Sequence, residues 1–283
     1  MKTITTVKEM QQFSGELKKE GKSIGFVPTM GYLHEGHLSL VEKSNSLCDV
    51  TVVSIFVNPK QFSPSEDLKN YPKDFKRDEK LLSYKNVDVI FYPSVEEIYP
   101  KNYQTFVEVA DLTKHLEGEF RPAHYKGVVT VVTILFNCVN PDYVFFGQKD
   151  AQQSVIIKKL IEDLKFNIKI EVCPIKREED GLAMSSRNIY LSKKEREDSL
   201  VLSRAISFGK KLIEDGERTA GKIIFKMIEK IQKIPSAELD YVQIVNVENF
   251  NLVSELREGE NYYILIACKI GKTRLIDNIL VKL

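Results

Sequence analysis

Cysteine is scarce in this sequence and nowhere paired at short range: Cys48, Cys138, Cys173 and Cys268 lie far apart and form no C-x-x-C. Each sits in apolar surroundings of the kind where buried free thiols are common, so no disulfide framework is expected. Long hydrophobic runs are lacking as well. The longest nearly apolar stretch, Val128 to Val139, is too short to span a bilayer, and the opening segment MKTITTVKEMQQFSGELKKEGKS has no apolar core of a secretory signal. These absences lead us to expect a cytoplasmic protein with no membrane partner. Net charge is almost absent: 41 Lys+Arg stand against 40 Asp+Glu, giving +1. That balance argues against a dedicated nucleic-acid partner but leaves room for a few cations in a pocket that grips a small anion. Internal repeats, low-complexity tracts and long heptads are also missing.

What is present is an ordinary globular composition, 43% hydrophobic and 29% charged over 283 residues, enough to bury a core without disulfides or structural metals. Val7 to Lys19 has helical apolar spacing and leads into a short apolar run, Ser23 to Val27, that is expected to stop at Pro28. The turn-rich PTMGYLHEG follows, then a helix pattern through HLSLVEKSNSLC, then the β-branched run Val50 to Val57. Further strands are expected at Val87 to Tyr92 and Tyr143 to Phe146. Near-continuous apolar strands alternating with helices predict an α/β fold, a Rossmann-like doubly wound parallel sheet. The character changes at CPIKREED, where a proline and a charge cluster follow the last sheet strand. A first domain over 1–176 and a smaller C-terminal α+β domain over 177–283 are therefore expected. The second has helices near Lys193 to Asp215 and Thr219 to Lys233, then strands near Leu239 to Val247, Tyr262 to Lys269 and Arg274 to Val281.

Four segments could carry chemistry. PTMGYLHEGH places His34 and His37, two of only four histidines, at a loop-to-helix junction after the first strand. The C-terminal edge of a parallel sheet binds ligands, and a helix N-terminus offers unpaired N–H groups to phosphate. Three residues apart on a starting helix, the two imidazoles could share a face and donate to one group, with Gly31 serving the turn and Gly36 allowing close approach. Surface-loop histidines are the plain alternative; a zinc-protease reading needs H-E-x-x-H, which HEGH is not. SIFVNPKQF ends a strand with Asn58 and Gln61, neutral amides that suit hydroxyl or carboxylate oxygens, although Asn-Pro can also simply start a turn. VFFGQKDAQQSV repeats the strand–glycine–helix arrangement, placing Lys149 to offset phosphate charge, Asp150 to accept from ribose, and Gln153 one turn on; a solvated helix start is the alternative. DGLAMSSRN supplies Ser185, Ser186 and Arg187 as donors that could stabilise charge as pyrophosphate leaves, unless it is only an ST-turn with a surface arginine.

Taken in order, PTMGYLHEGH, SIFVNPKQF, YPKDFKRD, RPAHYKGVVTVV, FGQKDAQQ and DGLAMSSRN closely resemble the pantothenate synthetases (pantoate–β-alanine ligases) of the HxGH nucleotidyltransferase superfamily. The resemblance implies two half-reactions: D-pantoate and ATP form pantoyl-adenylate and pyrophosphate, then β-alanine displaces AMP. It also implies Mg2+ with the ATP and a homodimer. On matching positions it implies that Met30, Gly31, Tyr32, Leu33, His34, Glu35, Gly36 and His37 line the ATP site, with His34 and His37 on the phosphates and His37 the proton donor. Gly147, Gln148, Lys149 and Asp150, together with Lys176 and Met184, Ser185, Ser186 and Arg187, would serve the nucleotide; the catalytic set would be His37, His34, Lys149 and Arg187. Gln61 and Gln153 would hold pantoate, Gln61 would also border β-alanine, Asn58 would assist near the substrate, and Asp78 is a candidate near magnesium. Departures from the usual pattern are Tyr32 for alanine, Lys60 for threonine, Ala123 for glycine, Gln148 for glutamate, Ala151 for an aromatic, and Lys176 where an apolar or small residue is usual. Other readings are an HxGH nucleotidyltransferase acting on a phosphorylated acceptor, a small tRNA synthetase, and a non-catalytic nucleotide-binding module. The neutral amides Gln61 and Gln153 fit pantoate better than a phosphate ester.

Overall fold

In the computed structural model, which describes residues 1–64 and 66–283, the chain divides into two compact units: 1–148 with 152–174, and 149–151 with 175–283. The first unit is built on a six-stranded sheet of order β1-β4-β3-β2-β5-β6, parallel at every pairing. Its strands are β1 (Lys2–Ile4), β2 (Ile24–Thr29), β3 (Val50–Ile55), β4 (Val89–Phe91), β5 (Tyr143–Gly147) and β6 (Lys169–Cys173). Helices α1 (Val7–Lys19), α2 (Glu35–Leu47), α3 (Phe75–Ser83), α4 (Val95–Ile98), α5 (Glu117–Phe120), α6 (His124–Val139) and α7 (Ala151–Asp163) lie between them.

Strand alternation sorts the core onto the two sheet faces. Phe26, Val52, Val89, Phe91, Val144 and Phe146 pack with α1, α6 and α7 on one side. Their neighbours Val27, Val53, Ile90 and Phe145 pack with Leu38 and Val41 of α2 and Leu82 of α3 on the other. Successive strand residues point to opposite faces, so a run apolar at every position needs cover on both, which the helices supply. The fold class expected from the sequence is the one observed. β2 leads through α2 to β3 on one flank and is paired with β5 on the other, so the strand order reverses about β2. The crevice beyond the carboxyl ends of β2 and β5 is the switch point where such sheets take ligands.

The first internal strand does not stop at Pro28. It runs to Thr29, paired with β3 as far as Thr29↔Ile55. Alternate residues of a parallel strand bond to opposite flanks, and the Thr29 carbonyl faces β3, accepting from the Phe56 N–H. The missing donor of Pro28 therefore faces the β5 flank, where pairing with β2 has ended at Phe26↔Val144, so the proline removes no ladder bond. β1, three residues long, was not expected from the sequence at all.

The second unit carries α8 (Lys193–Glu214) and α9 (Ala220–Ile231) on an antiparallel sheet of β7 (Ala237–Asn246), β8 (Asn261–Ile270) and β9 (Thr273–Lys282). Ile206, Ile223, Met227, Ile244, Tyr262 and Ile264 form its separate core. Ser192 caps α8 in a reciprocal box with Glu195, satisfying two helix-end donors. All four cysteines are free thiols. Burial pushes Cys138 up to about 11 and Cys268 up to about 12, which makes both inert. Among the described residues no helix is long and apolar enough to cross a membrane.

Candidate active site

Between β2 and α2 the chain makes a sharp turn through two residues in left-handed conformation, Gly31 at φ 83° and Tyr32 at φ 50°. Thr29 organises its start: its hydroxyl donates to the Ser54 carbonyl at 2.7 Å and accepts from the Gly31 N–H at 3.1 Å. A Cβ at Gly31 would sit 3.0 Å from both Asp78 Oδ2 and Ile55 Cγ2, so sterics as well as φ favour glycine there. Asp78, reaching in from α3, is 1% exposed. Its two oxygens accept the N–H groups of Tyr32 (2.7 Å) and Leu33 (2.8 Å). Burial raises its pKa, opposed by those two hydrogen bonds. Arg77 lies beside Asp78 at 3.3 Å and stacks over the Tyr32 ring at 4.8 Å.

His34 is not on the helix face, as the spacing suggested, but at the N-cap of α2 with extended backbone, φ −139° and ψ 173°. Its Nδ1 accepts the Gly36 N–H at 3.1 Å, while the His34 N–H donates to Nδ1 of His37 at 3.3 Å. This is a capping box built from two imidazoles, and it brings their ring centroids to 4.0 Å. A ring nitrogen that accepts carries no proton, so each neutral imidazole holds its proton on Nε2. Both rings are thus set as Nε2–H donors at a helix N-terminus, where the dipole favours an anion.

After β3, Asn58 caps a 3-10 turn over Pro59–Gln61. Its carboxamide is 1% exposed and fully engaged. Nδ2 donates to Gln61 Oε1 and to the Gly127 carbonyl, each at 3.0 Å; Oδ1 accepts from the Tyr99 hydroxyl at 2.8 Å and the Lys60 N–H at 3.2 Å. Gln61 then directs Nε2 to the Met30 sulfur at 3.1 Å. Asn58, its near neighbour Gln61 and the sequence-distant Met30 form one connected group. His124 Nδ1 is 3.1 Å from the Gln61 carbonyl.

β5 ends at Gly147, and a 3-10 turn over Gln148–Asp150 leads into α7. Gln153 is half-buried on the first turn of α7. Its neighbour Gln152 is buried and committed to the structure: it accepts from the Glu117 N–H and donates to the Leu112 and His115 carbonyls.

In the second unit, Lys149 Nζ lies 3.8 Å from Asp150 Oδ1, and the Lys149 carbonyl accepts from Asn278 Nδ2 at 3.0 Å. A hairpin pairs Arg177 with Ala183. At its open end the Lys176 carbonyl accepts the Met184 N–H at 3.0 Å. Ser185 then caps the 3-10 turn over Ser186–Tyr190 by accepting the Arg187 N–H at 3.3 Å. Arg177 grips buried Asp277 through two nitrogens, at 2.7 and 2.9 Å, and Arg196 grips Glu178 at 3.0 and 2.8 Å while also reaching Asp180.

The pantoate-beta-alanine ligase family matches residues 2–280 of the chain. The chain belongs to that family. A pantothenate synthetase of Caldicellulosiruptor bescii is 51% identical over 282 residues, covering 100% of this chain and 99% of its own, and one of Thermotoga petrophila is 50% identical over 278 residues, covering 98% and 99%. Among solved structures, pantothenate synthetase from Thermus thermophilus superposes with a TM-score of 0.92 at 41% identity, covering 99% of both chains. The Francisella tularensis pantoate-beta-alanine ligase, complexed with beta-gamma ATP and beta-alanine, gives 0.80 at 35% identity over 99% of this chain and 97% of that one.

Within this member of the ligase family, the first unit holds the expected residues Met30–His37, Asn58, Gln61, Asp78, Gly147, Gln148 and Gln153. The second holds Lys149, Asp150, Lys176 and Met184–Arg187. The residues that hold these candidates in place and that sequence reasoning did not single out are Tyr99, Gly127, Arg177 and Asp277. Gly127 lies inside RPAHYKGVVTVV, one of the segments that carry the resemblance, while nothing local marks Tyr99; no local spacing links either to Asn58.

Proposed function

We propose that this chain joins D-pantoate to β-alanine using ATP, through a pantoyl-adenylate. The observation that carries the reading is the paired His34–His37 cap, two Nε2–H donors fixed at a helix N-terminus on the carboxyl edge of a parallel sheet. In the first half-reaction a pantoate carboxylate oxygen bonds to the α-phosphorus and the bond to pyrophosphate breaks. His34 and His37 stabilise charge on the phosphates by donating hydrogen bonds from Nε2–H, His37 among them in the role the family resemblance gives it. Lys149 and Arg187 offset phosphate charge, and Ser185 and Ser186 donate to it; such fixed donors need no reorganisation as charge develops. In the second half-reaction the β-alanine amine attacks the acyl carbon, a C–N bond forms, AMP leaves, and the nitrogen gives up its proton. Gln61 and Gln153 hold pantoate, and Gln61 borders β-alanine. Gly147 and Gln148, with Asp150, Lys176 and Met184, contact the nucleotide.

Magnesium enters this reading as part of the nucleotide substrate. Among the described residues no three carboxylate, imidazole or thiol groups cluster as a cation site, and both Asp78 oxygens already accept backbone N–H groups. Among the described residues none forms a cage for the ion, and no step is assigned to one. A cytoplasmic homodimer completes the proposal.

The test is ATP–pyrophosphate exchange with D-pantoate in the absence of β-alanine, followed by β-alanine addition and assay for pantothenate and AMP. Pantoate-dependent exchange followed by amide formation is expected. Folded protein with no exchange would return the chain to the nucleotidyltransferase or non-catalytic readings. His37→Ala is expected to fold normally and slow adenylate formation by about a hundredfold or more, the usual worth of one fixed hydrogen-bond donor to developing charge; near-normal exchange would remove its central role.

A further inference from the structure

The buried carboxamide of Asn58 has its polarity dictated by two backbone groups. The Lys60 N–H can only donate and the Gly127 C=O can only accept. Flipping the amide would set N–H against N–H and C=O against C=O, so Oδ1 must face Lys60 and Nδ2 must face Gly127. Gly127 holds its carbonyl in place by necessity, because a Cβ there would collide with the Lys60 carbonyl and the Gln61 Cα. The Tyr99 hydroxyl, 2.8 Å from Oδ1, can then only be a donor. The remaining Nδ2 hydrogen must meet an acceptor, so Gln61 turns Oε1 inward and its Nε2 away from Asn58.

Gln61 Nε2 currently rests on the Met30 sulfur. A thioether is a weak acceptor, so exchanging it for a carboxylate or hydroxyl oxygen is a net gain. The relay therefore leaves Gln61 as a preset donor with a poor partner, which is the polarity an anionic acid substrate needs. Tyr99 ends the relay on Asn58 Oδ1. It is 8% exposed, its ring lies between Phe56 at 6.2 Å and Tyr103 at 4.9 Å, and burial raises its pKa well above the ordinary phenol range, so the hydroxyl keeps its proton.

We infer that Tyr99 is a positioning residue for acid-substrate recognition: its hydroxyl reinforces the Asn58 orientation that the two backbone groups set, and through Asn58 it helps hold Gln61 with its N–H end toward the substrate carboxylate or hydroxyl. This rests on Gln61 meeting pantoate, as proposed above, and assigns Asn58 to holding Gln61 instead of touching substrate. Tyr99→Phe removes only the hydroxyl. The KM for D-pantoate in pyrophosphate exchange is expected to rise about three- to tenfold, the worth of one net hydrogen bond, with the KM for ATP unchanged. Asn58→Ala is expected to raise it further, and adding Tyr99→Phe to Asn58→Ala to change nothing more, since the path is already cut. Additive effects, equal shifts in both KM values, or an unshifted pantoate KM in Tyr99→Phe would each overturn the inference. Absence of pantoate-dependent exchange in the wild-type chain would instead overturn the function on which it rests, so the two failures are distinct.

Discussion

The two loops assigned to phosphate are held by opposite means. Before His34, Tyr32 and Leu33 hang on one carboxylate, Asp78, whose buried oxygens take their two backbone N–H groups. Around Met184 to Asn188 the second unit uses cations: Arg196 clamps Glu178 and Asp180, Arg177 clamps Asp277, and Asn188 Nδ2 donates to Glu178 at 2.8 Å. The first device is small and dry, the second spread out and partly wet. A single buried acceptor fixes geometry tightly but has no substitute if altered. The half-exposed part of the network, Arg196 with Glu178 and Asp180, tolerates the loss of one member. Precision is thus concentrated where the imidazoles must be aimed.

Breaking the first device should have the larger effect. Asp78→Asn sets an NH2 against a backbone N–H, leaving a buried donor unsatisfied at about 1–3 kcal/mol. Spent at the turn that aims His34 and His37, this should slow pyrophosphate exchange by about tenfold or more while the ATP KM changes little. Exchange at the wild-type rate would show that the cap holds itself without Asp78. Arg196→Met should cost about 1 kcal/mol, because its partners are partly solvated, lowering Tm by about 2–4 °C. Exchange should fall less than for Asp78→Asn; the reverse ranking in activity would invert the comparison.

Titration sharpens the contrast, because the two carboxylates are shifted in opposite directions. Burial raises Asp78, so the stability it contributes is fully present below its unfolded pKa and is lost as pH rises through its folded value. The Arg196 hydrogen bond lowers Glu178, so its contribution is present above the unfolded pKa and is lost as pH falls through the depressed folded value. Denaturant titrations across acid pH, comparing wild type with Asp78→Asn and Glu178→Gln, should give stability differences that slope oppositely with pH. Parallel slopes would mean that the carboxylates share one kind of environment.

These contrasts also mark where the sequence was legible. Alternating apolar strands and helices are local patterns, and the expected β2–α2–β3 unit, α8, α9 and the three C-terminal strands are all observed. HEGH announced a helix start because capping is local too. Asp78, by contrast, meets Tyr32 and Leu33 across 46 and 45 positions, and Tyr99 meets Asn58 across 41. No periodicity encodes such a bond: it exists only once the sheet has set the ends of β2, β3 and β4 side by side. Three-residue spacing from His37 suggested a helical face for His34, whereas the structure makes it a cap, because its side chain serves the Gly36 N–H better from extended backbone.

The smallest expected effect lies at Tyr32, where the family pattern usually has alanine. At φ 50° any L side chain is strained, by roughly 1–2 kcal/mol relative to glycine, and here the strain is offset by Arg77 stacked on the ring, worth about 0.5–1 kcal/mol at a partly exposed site. Tyr32→Gly relieves one and loses the other, so its stability in denaturant should match wild type to within about 1 kcal/mol. The informative measurement is the double variant. If Asp78 serves to hold residue 32 in a conformation it would otherwise leave, glycine at 32 should restore part of the exchange rate lost in Asp78→Asn. Failure to restore any would mean that Asp78 acts on the imidazoles through Leu33 and not through the left-handed turn.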